Sequence, residues 1–378
     1  MSNWEEKRLE EIIDVNPSVK LTKGKSYPFI DIDKVSPSRR SVTNEEVKLY
    51  KGQSSSKFCD GDTVFSRITP CLENRKIAKV SIKEDAAFGS TEFYVFRAKA
   101  KKADASFTYY LTSSDAVVLP AINSMTGASG RQRADKRFIQ RLKLNFPDLP
   151  TQERIADILS TYDDLIEANN RRIELLEQAA QELYKEWFVR FRFPGHEKAK
   201  FENGLPEGWK IKKVKEIVKR KPFGKLYKVS DACSEGNVII IDQSKEAYIG
   251  FHNNEPSHLA CLENPIVLFG DHSCKYQLMI TPFSLSENVV PFIGTENILT
   301  IYLYYLINGL VYTTEYKRHW TELISKKVLV ADFSLQQMFV NKIQDYLYLK
   351  ELLNQNNRNL AAQRDLLLPR LMSGKLEV

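Results

Sequence analysis

Residues 151–193 read TQERIADILSTYDDLIEANNRRIELLEQAAQELYKEWFVRFRF, and no proline or glycine interrupts them before Pro194 and Gly195. Within this stretch Ile155, Leu159, Tyr162, Ile166, Asn169, Ile173, Leu176, Ala180, Leu183 and Trp187 recur in alternating steps of four and three. That is a heptad seam on which only Asn169 is polar. The spacing predicts a coiled-coil helix of some 40 residues, about 60 Å at 1.5 Å per residue, far longer than the usual three or four turns. A proline-rich turn, Phe146-Pro147-Asp148-Leu149-Pro150, precedes it, with Thr151 as the expected cap.

A second segment of this kind closes the chain. Phe339, Tyr346, Leu353, Leu360 and Leu367 are spaced by seven, with Ile343, Leu349, Asn356 and Leu371 filling intermediate turns, and the helix is expected to falter at Pro369. A single amphipathic helix would leave its seam in water, whereas two in one chain bury each other. The globular segment between them lets the second run back along the first, which predicts an antiparallel intramolecular coiled coil.

Outside the helices the chain is mixed α/β (α+β). Tyr27–Ile32, Thr63–Ser66, Lys76–Val80 and Glu92–Phe96 read as strands, followed by a helix over Phe107–Val118. Val238–Ile241, Ile266–Phe269 and Asn288–Phe292 then read as strands, followed by a helix over Ile298–Gly309. The letters repeat as well as the order. Trp4–Ile13 matches Trp209–Val218 at one offset, Tyr109-Tyr110-Leu111 matches Tyr304-Tyr305-Leu306, and Asp148, Gln152 and Asn169-Asn170-Arg171 match Asp332, Gln336 and Asn356-Asn357-Arg358. The chain is therefore two copies of one unit, globe and long helix, with globes at 1–150 and 194–333 and helices at 151–193 and 334–378.

Composition bounds the function. The 378 residues are 43% hydrophobic and 27% charged, ordinary for globular domains and unlike a disordered or collagen-like chain. The longest apolar run, Ile301–Tyr312, is broken by Asn308 and Gly309 and is too short to span a bilayer. The N-terminus shows no apolar signal core, so a cytoplasmic protein without membrane association is expected. Five cysteines, with no CxxC pair, argue for reduced thiols. Residues 1–150 hold 26 Lys+Arg against 19 Asp+Glu, or +7, while residues 151–192 hold 6 against 9, or −3. A positive excess on the first globe suits a polyanion-binding module.

The run Leu149-Pro150-Thr151-Gln152-Glu153-Arg154-Ile155-Ala156-Asp157-Ile158-Leu159, continuing through Asn169-Asn170-Arg171-Arg172-Ile173-Glu174-Leu175-Leu176-Glu177, resembles the central helix of the specificity subunits of type I restriction-modification enzymes. Trp4 and Gly204-Leu205-Pro206-Glu207-Gly208-Trp209 are similar to the openings of their target recognition domains. Gly61-Asp62-Thr63-Val64-Phe65-Ser66-Arg67 and Phe269-Gly270-Asp271-His272 resemble recurring segments of those domains. The likeness spans nearly the whole chain, although Ser334-Leu335-Gln336-Gln337 departs from the family's proline-led start of the second helix. The resemblance implies two target recognition domains separated by the helix pair, each reading one half of a bipartite sequence in double-stranded DNA. It also implies two modification subunits as partners, which transfer a methyl group from S-adenosylmethionine to adenine, with restriction subunits joining some assemblies. The helices alone leave another reading open, a coiled-coil scaffold or adaptor whose globes bind proteins.

No catalytic constellation stands out. Asn16-Pro17-Ser18-Val19 and Asn264-Pro265-Ile266-Val267 lack the second proline and the aromatic of an amino-methyltransferase, and GxxxxGK[ST] occurs nowhere, so neither a cofactor nor ATP is expected. His258, Cys261, His272 and Cys274 do not have a standard zinc spacing, and no metal is expected. The alternative reading has the cysteines buried and the histidines exposed.

The DNA-contacting candidates lie in loops. Thr126-Gly127-Ala128-Ser129-Gly130-Arg131-Gln132-Arg133 joins two flexible glycines to a hydroxyl, an amide and two guanidinium groups, and it resembles a Gly/Ser/Arg-rich segment of the family. Glycine lets backbone approach phosphate, Arg pairs with guanine and Gln with adenine, which nominates Ser129, Gly130, Arg131, Gln132 and Arg133. The corresponding place in the second globe nominates Lys317, Arg318 and His319, with Trp320 as a packing residue. His272 follows a strand in a Gly-Asp-His loop, and Arg67 with Thr69, and Lys275 with Tyr276, lie just after strands in equivalent parts of the repeats. Cations at such places hold phosphates more often than they specify bases.

Overall fold

The computed structural model describes all residues except 1–3, 38, 44–45, 129, 245–246, 314 and 316. The chain forms two compact units, one of Met1–Asn170 with Gln355–Val378 and the other of Arg171–Asn354.

In the first unit five strands are ordered Ile13–Val15, Phe93–Ala98, Thr63–Ser66, Ile77–Ser81 and Ser41–Thr43. A four-stranded sheet runs Glu46–Leu49, Ser26–Ile30, Ala87–Gly89 and Ser56–Phe58. Alternation along one strand builds two cores at once: Phe93 and Val95 face Ile30, Phe58 and Val64, while Tyr94 and Phe96 face Phe107, Leu111, Ile155 and Leu159. A ribbon of Glu5–Arg8 against Lys143–Phe146 brings the start of the chain beside the start of the first long helix.

The second unit repeats this plan. Its four-stranded sheet runs Val218–Arg220, Val289–Gly294, Ile266–Gly270 and Tyr276–Met279, and its three-stranded sheet Gly250–His252, Val238–Ile241 and Phe283–Leu285. Val238–Ile241 lies parallel to Phe283–Leu285, as Ser26–Ile30 lies parallel to Ala87–Gly89. Lys210–Lys213 pairs with Lys327–Val330 as the equivalent ribbon. Ser41–Thr43 has no counterpart strand among the described residues of the second unit, and Ser56–Phe58 is reduced there to a single antiparallel bridge of His258 with Phe283.

The first long helix spans Leu149–Tyr184 and continues as a π-turn over Lys185–Val189; the second spans Phe333–Met372. The start of the first differs from expectation. Asp148, not Thr151, is the cap, its Oδ1 accepting from Thr151 N at 3.0 Å, and Pro150 sits in the first turn, where a missing N–H costs nothing. Asp332 caps the second helix in the same way through Leu335 N at 2.9 Å, so the loss of the proline-led start left the cap intact. Gln152 and Gln336 then clasp each helix to its own globe. Gln152 donates to Lys102 O (3.1 Å) and Pro147 O (3.0 Å) and accepts from Asp104 N (3.2 Å). Gln336 donates to Asn297 O (3.3 Å) and Ala331 O (2.9 Å) and accepts from Leu299 N (3.0 Å).

Within each unit the two helix segments run antiparallel. In the first unit Arg364 pairs with Asp163, and Asn357 is hydrogen-bonded to Asn169 and Asn170, each at 2.9 Å. In the second unit Lys350 meets Glu177 at 2.6 Å, and the Phe339 ring packs against Tyr184, Trp187 and Phe188.

Several expectations for the helices need correction. Asn356 and Leu349 are exposed; Asn357, one residue further on, and Leu347, two residues earlier, are turned inward in their place, while Leu353 is buried as expected. The second helix does not falter at Pro369. That residue lies near the end, where it removes one backbone bond, and the burial of Leu371 and Met372 in the first unit's core holds the last turn. The helix read as Phe107–Val118 is two helices, Ala105–Ser113 and Asp115–Asn123. Ser114 is extended between them, and the hydroxyls of Thr112, Ser113 and Ser114 all bond back to helix carbonyls.

Candidate nucleic-acid interface

The two units carry one strand-end scaffold. In the first, Arg67 follows Thr63–Ser66, donates its N–H to Glu92 O at 2.9 Å and accepts from Ala134 N at 2.8 Å. In the second, Asp271 follows Ile266–Gly270, donates to Asn288 O at 2.8 Å and accepts from His319 N at 2.8 Å. These bonds place Arg67, Glu92 and Arg133 where the second unit has Asp271, Asn288 and Arg318.

In the first unit the three side chains close on one another. Arg133 grips Glu92 bidentately, Nε to Oε2 at 2.9 Å and Nη2 to Oε1 at 2.6 Å, while Arg67 Nε donates to Oε2 at 3.2 Å. The Arg133 hydrogen bonds, with Arg67 adding its charge, hold the Glu92 carboxyl below the usual range although partial burial opposes them. The Arg67 guanidinium also lies 5.4 Å from the Tyr94 ring centre.

The loop from Thr126 to Arg133 is closed by reciprocal backbone bonds between those two residues, at 3.1 and 2.9 Å. Thr69 pins it from below: its N–H and hydroxyl donate to Gln132 O, and its Oγ1 accepts from Gln132 N at 2.9 Å. Gly127 and Gly130 have φ of 125° and 79°, so the turn needs both glycines. Ser129 lies outside the described residues. Arg131 is exposed, and among the described residues its guanidinium has no partner; Gln132 is half-buried. The structure thus separates the candidates by what they touch. Arg131 is presented outward, Thr69 supports the loop, and Arg67 and Arg133 are committed to Glu92.

In the second unit Asp271 is occupied differently. Its Oδ1 accepts from Trp320 N at 2.8 Å at the start of the helix Trp320–Ser325, and Arg318 Nε stands 3.8 Å from Oδ2. Arg318 is left 75% exposed. A cleft of about 550 Å³ opens beside it, lined by Arg220, Phe223, Asp271, Asn288, Arg318 and Trp320 among others. Lys317 is exposed, with Nζ 3.5 Å from Glu315, and its carbonyl accepts from His272 Nδ1 at 3.1 Å. Lys275 is half-exposed at the hairpin after Gly270.

Two candidates of the second unit need correction. His319 is fully buried, with Nε2 donating to Glu315 O at 3.2 Å and Nδ1 lying 3.3 Å from Glu322 Oε2, so it is part of the core beneath the loop. Tyr276 packs its ring 5.0 Å from Phe269, and burial pushes its hydroxyl pKa upward. His258, expected to be exposed, is buried on Phe283, and desolvation lowers its pKa. Sequence reasoning missed Glu92, Arg220, Asp271 and Asn288. The signal was in the repeat, since lining up strand ends sets Glu92 over Asn288 and Arg67 over Asp271.

Residues 1–178 match the family described as the type I restriction modification DNA specificity domain. The type I restriction enzyme MjaVIII specificity subunit of Methanocaldococcus jannaschii is 35% identical over 30% of this chain and 27% of its own length. The EcoAI specificity subunit of Escherichia coli is 26% identical over 49% of this chain, so the matched part spans about a third (35%) of that relative. The MjaIX specificity subunit of Methanocaldococcus jannaschii is 24% identical over 100% of this chain and 94% of its own length. Among solved structures, the type I restriction-modification system S subunit from M. genitalium superposes with a TM-score of 0.50 at 14% identity, over 98% of this chain and 96% of that one, a likeness of fold. The duplicated globe-and-helix plan, the family match over residues 1–178 and the similarity to the MjaIX subunit along the whole chain together liken this protein to the type I restriction-modification specificity subunits.

Proposed function

We propose that this chain supplies the DNA address of a type I restriction-modification complex, each unit reading one half of a bipartite site. The observation that carries the reading is the strand-end scaffold, built twice by the same backbone bonds and furnished in both units with outward or cleft-lining arginines in a chain similar to this family. An arginine fork suits guanine edges and phosphates alike. The assigned contacts are Gly130, Arg131 and Gln132 in the first unit and Arg318, Lys317, His272 and Lys275 in the second. Arg67, Thr69 and Arg133 position them, and Ser129 belongs to the same loop.

The long helices serve as spacer and as docking platform for two modification subunits, to which restriction subunits can be added. The chain contributes recognition, and the methyl transfer belongs to the modification subunits. Methylation mapping of the host genome with and without this chain tests the reading. Loss of one bipartite methyladenine motif is the expected result, and an unchanged methylome would favour a scaffold. Methyl transfer by the purified chain alone would contradict the division of labour.

A further inference from the structure

We infer that the cleft of the second unit takes the edges of two adjacent purines in duplex DNA together with a flanking phosphate, with Arg220 meeting a guanine, Asn288 an adenine and Arg318 the phosphate. The inference rests on the DNA-recognition reading above. The Arg220 guanidinium lies 5.5 Å from the Phe223 ring centre and 5.6 Å from that of Trp320. Two aromatic neighbours orient a planar fork and leave its N–H edges for a paired acceptor, which guanine N7 and O6 provide.

Asn288 immediately precedes the strand Val289–Gly294 with φ of 62°, a left-handed conformation asparagine tolerates, and is half-buried at the cleft wall. Among the described residues its amide makes no hydrogen bond, so both donor and acceptor are open to a base edge, as adenine N6 and N7 require. Among the described residues Arg318 has only the Asp271 contact at 3.8 Å, too long to hold it, and Asp271 already serves Trp320.

The charge balance argues against a free anion as the occupant. Two arginines face the carboxylates of Asp271 and Glu287 around the cleft, so a small phosphate gains little there. Two base edges with one phosphate use the arginines and the amide without needing a net positive well.

The first unit lacks this arrangement at the equivalent place. Pairing of Val15 with Phe96, and of Arg220 with Phe292, sets buried Val15 where the second unit has Arg220. Glu92 replaces Asn288 and ties Arg133 down. The same scaffold position therefore reads DNA in the second unit and braces a neighbouring loop in the first.

The test is selection from a randomised duplex library by the full chain co-purified with its modification subunits, for wild type, Arg220→Lys, Asn288→Asp, Arg318→Ala and Arg131→Ala. Arg220→Lys keeps the charge and Asn288→Asp keeps the shape, so thermal melting should show both folded. Each is expected to weaken preference at one position of one half-site by about tenfold and leave the other half unchanged. Arg318→Ala should weaken all sequences and make the salt dependence shallower by about one unit of slope. If Arg131→Ala shifts one half while Arg220→Lys and Asn288→Asp shift neither, the cleft assignment is wrong and the DNA reading stands. A wild-type complex that selects no sequence overturns both.

Discussion

The two units put the same backbone bonds at the same strand end and dress them with opposite side chains. In the first, a carboxylate at Glu92 collects two arginines into a closed clamp; in the second, the carboxylate moves to Asp271, an amide occupies the place of Glu92, and an arginine is left facing an open cleft. What duplication kept is what burial enforces. Gln152 and Gln336 each satisfy buried carbonyls and an N–H, and Asp148 and Asp332 each cap a long helix. A surface side chain can change at little cost in stability, whereas a buried amide cannot be lost without leaving its partners unsatisfied. Under the proposed reading, that is how one scaffold serves two half-sites of different sequence.

If shared features are structural, equivalent substitutions should act alike in both units. The largest effect is expected in the cores. Ile155 and Phe339, equivalent in the repeat and almost fully buried, should lose about 2–5 and 3–5 kcal/mol on change to alanine, measured by urea unfolding. Next come Gln152→Ala and Gln336→Ala, each expected to cost about 1–3 kcal/mol for the groups left unpaired. A cost in one unit and none in the other would break the equivalence.

The clamp should separate the units. Glu92→Gln frees Arg133 and Arg67 to meet phosphates, so binding should gain strength broadly, steepen in salt by about one unit of slope and lose preference in one half-site. Because the folded carboxyl is held low, the clamp's contribution is full above the ordinary glutamate range and declines as pH falls through the lowered value. Glu92→Gln should remove that acid limb from a melting profile, and an unchanged limb would show that other carboxylates cause it.

The smallest effect is expected at Asn169. A seam asparagine fixes register at some cost in stability, so Asn169→Leu should hold or raise the melting temperature while admitting other helix pairings. A clear fall would show that the Asn169–Asn357 bond contributes more to stability than to register.

The heptads, the duplication and most strands were legible because apolar periodicity and repeated letters register burial directly. Asn357 was confused with Asn356 because neighbouring asparagines differ only in helical phase, and phase drifts over a long seam. The roles of Arg133 and His319 were not legible. Arginine beside glycine looks the same whether it faces solvent or a carboxylate 41 residues away in sequence, and a histidine one residue from an exposed arginine gives no local sign of complete burial. Alignment of strand ends sets Glu92 over Asn288, but only three-dimensional pairing makes position 92 a neighbour of 67 and 133.

The most direct measurement is methylation of a randomised-site library by complexes carrying Arg131→Ala or Asn288→Asp. Separate reading predicts that Arg131→Ala relaxes one half-site and leaves the other as in wild type, and that Asn288→Asp does the reverse. Equal relaxation of both halves by either substitution would contradict it.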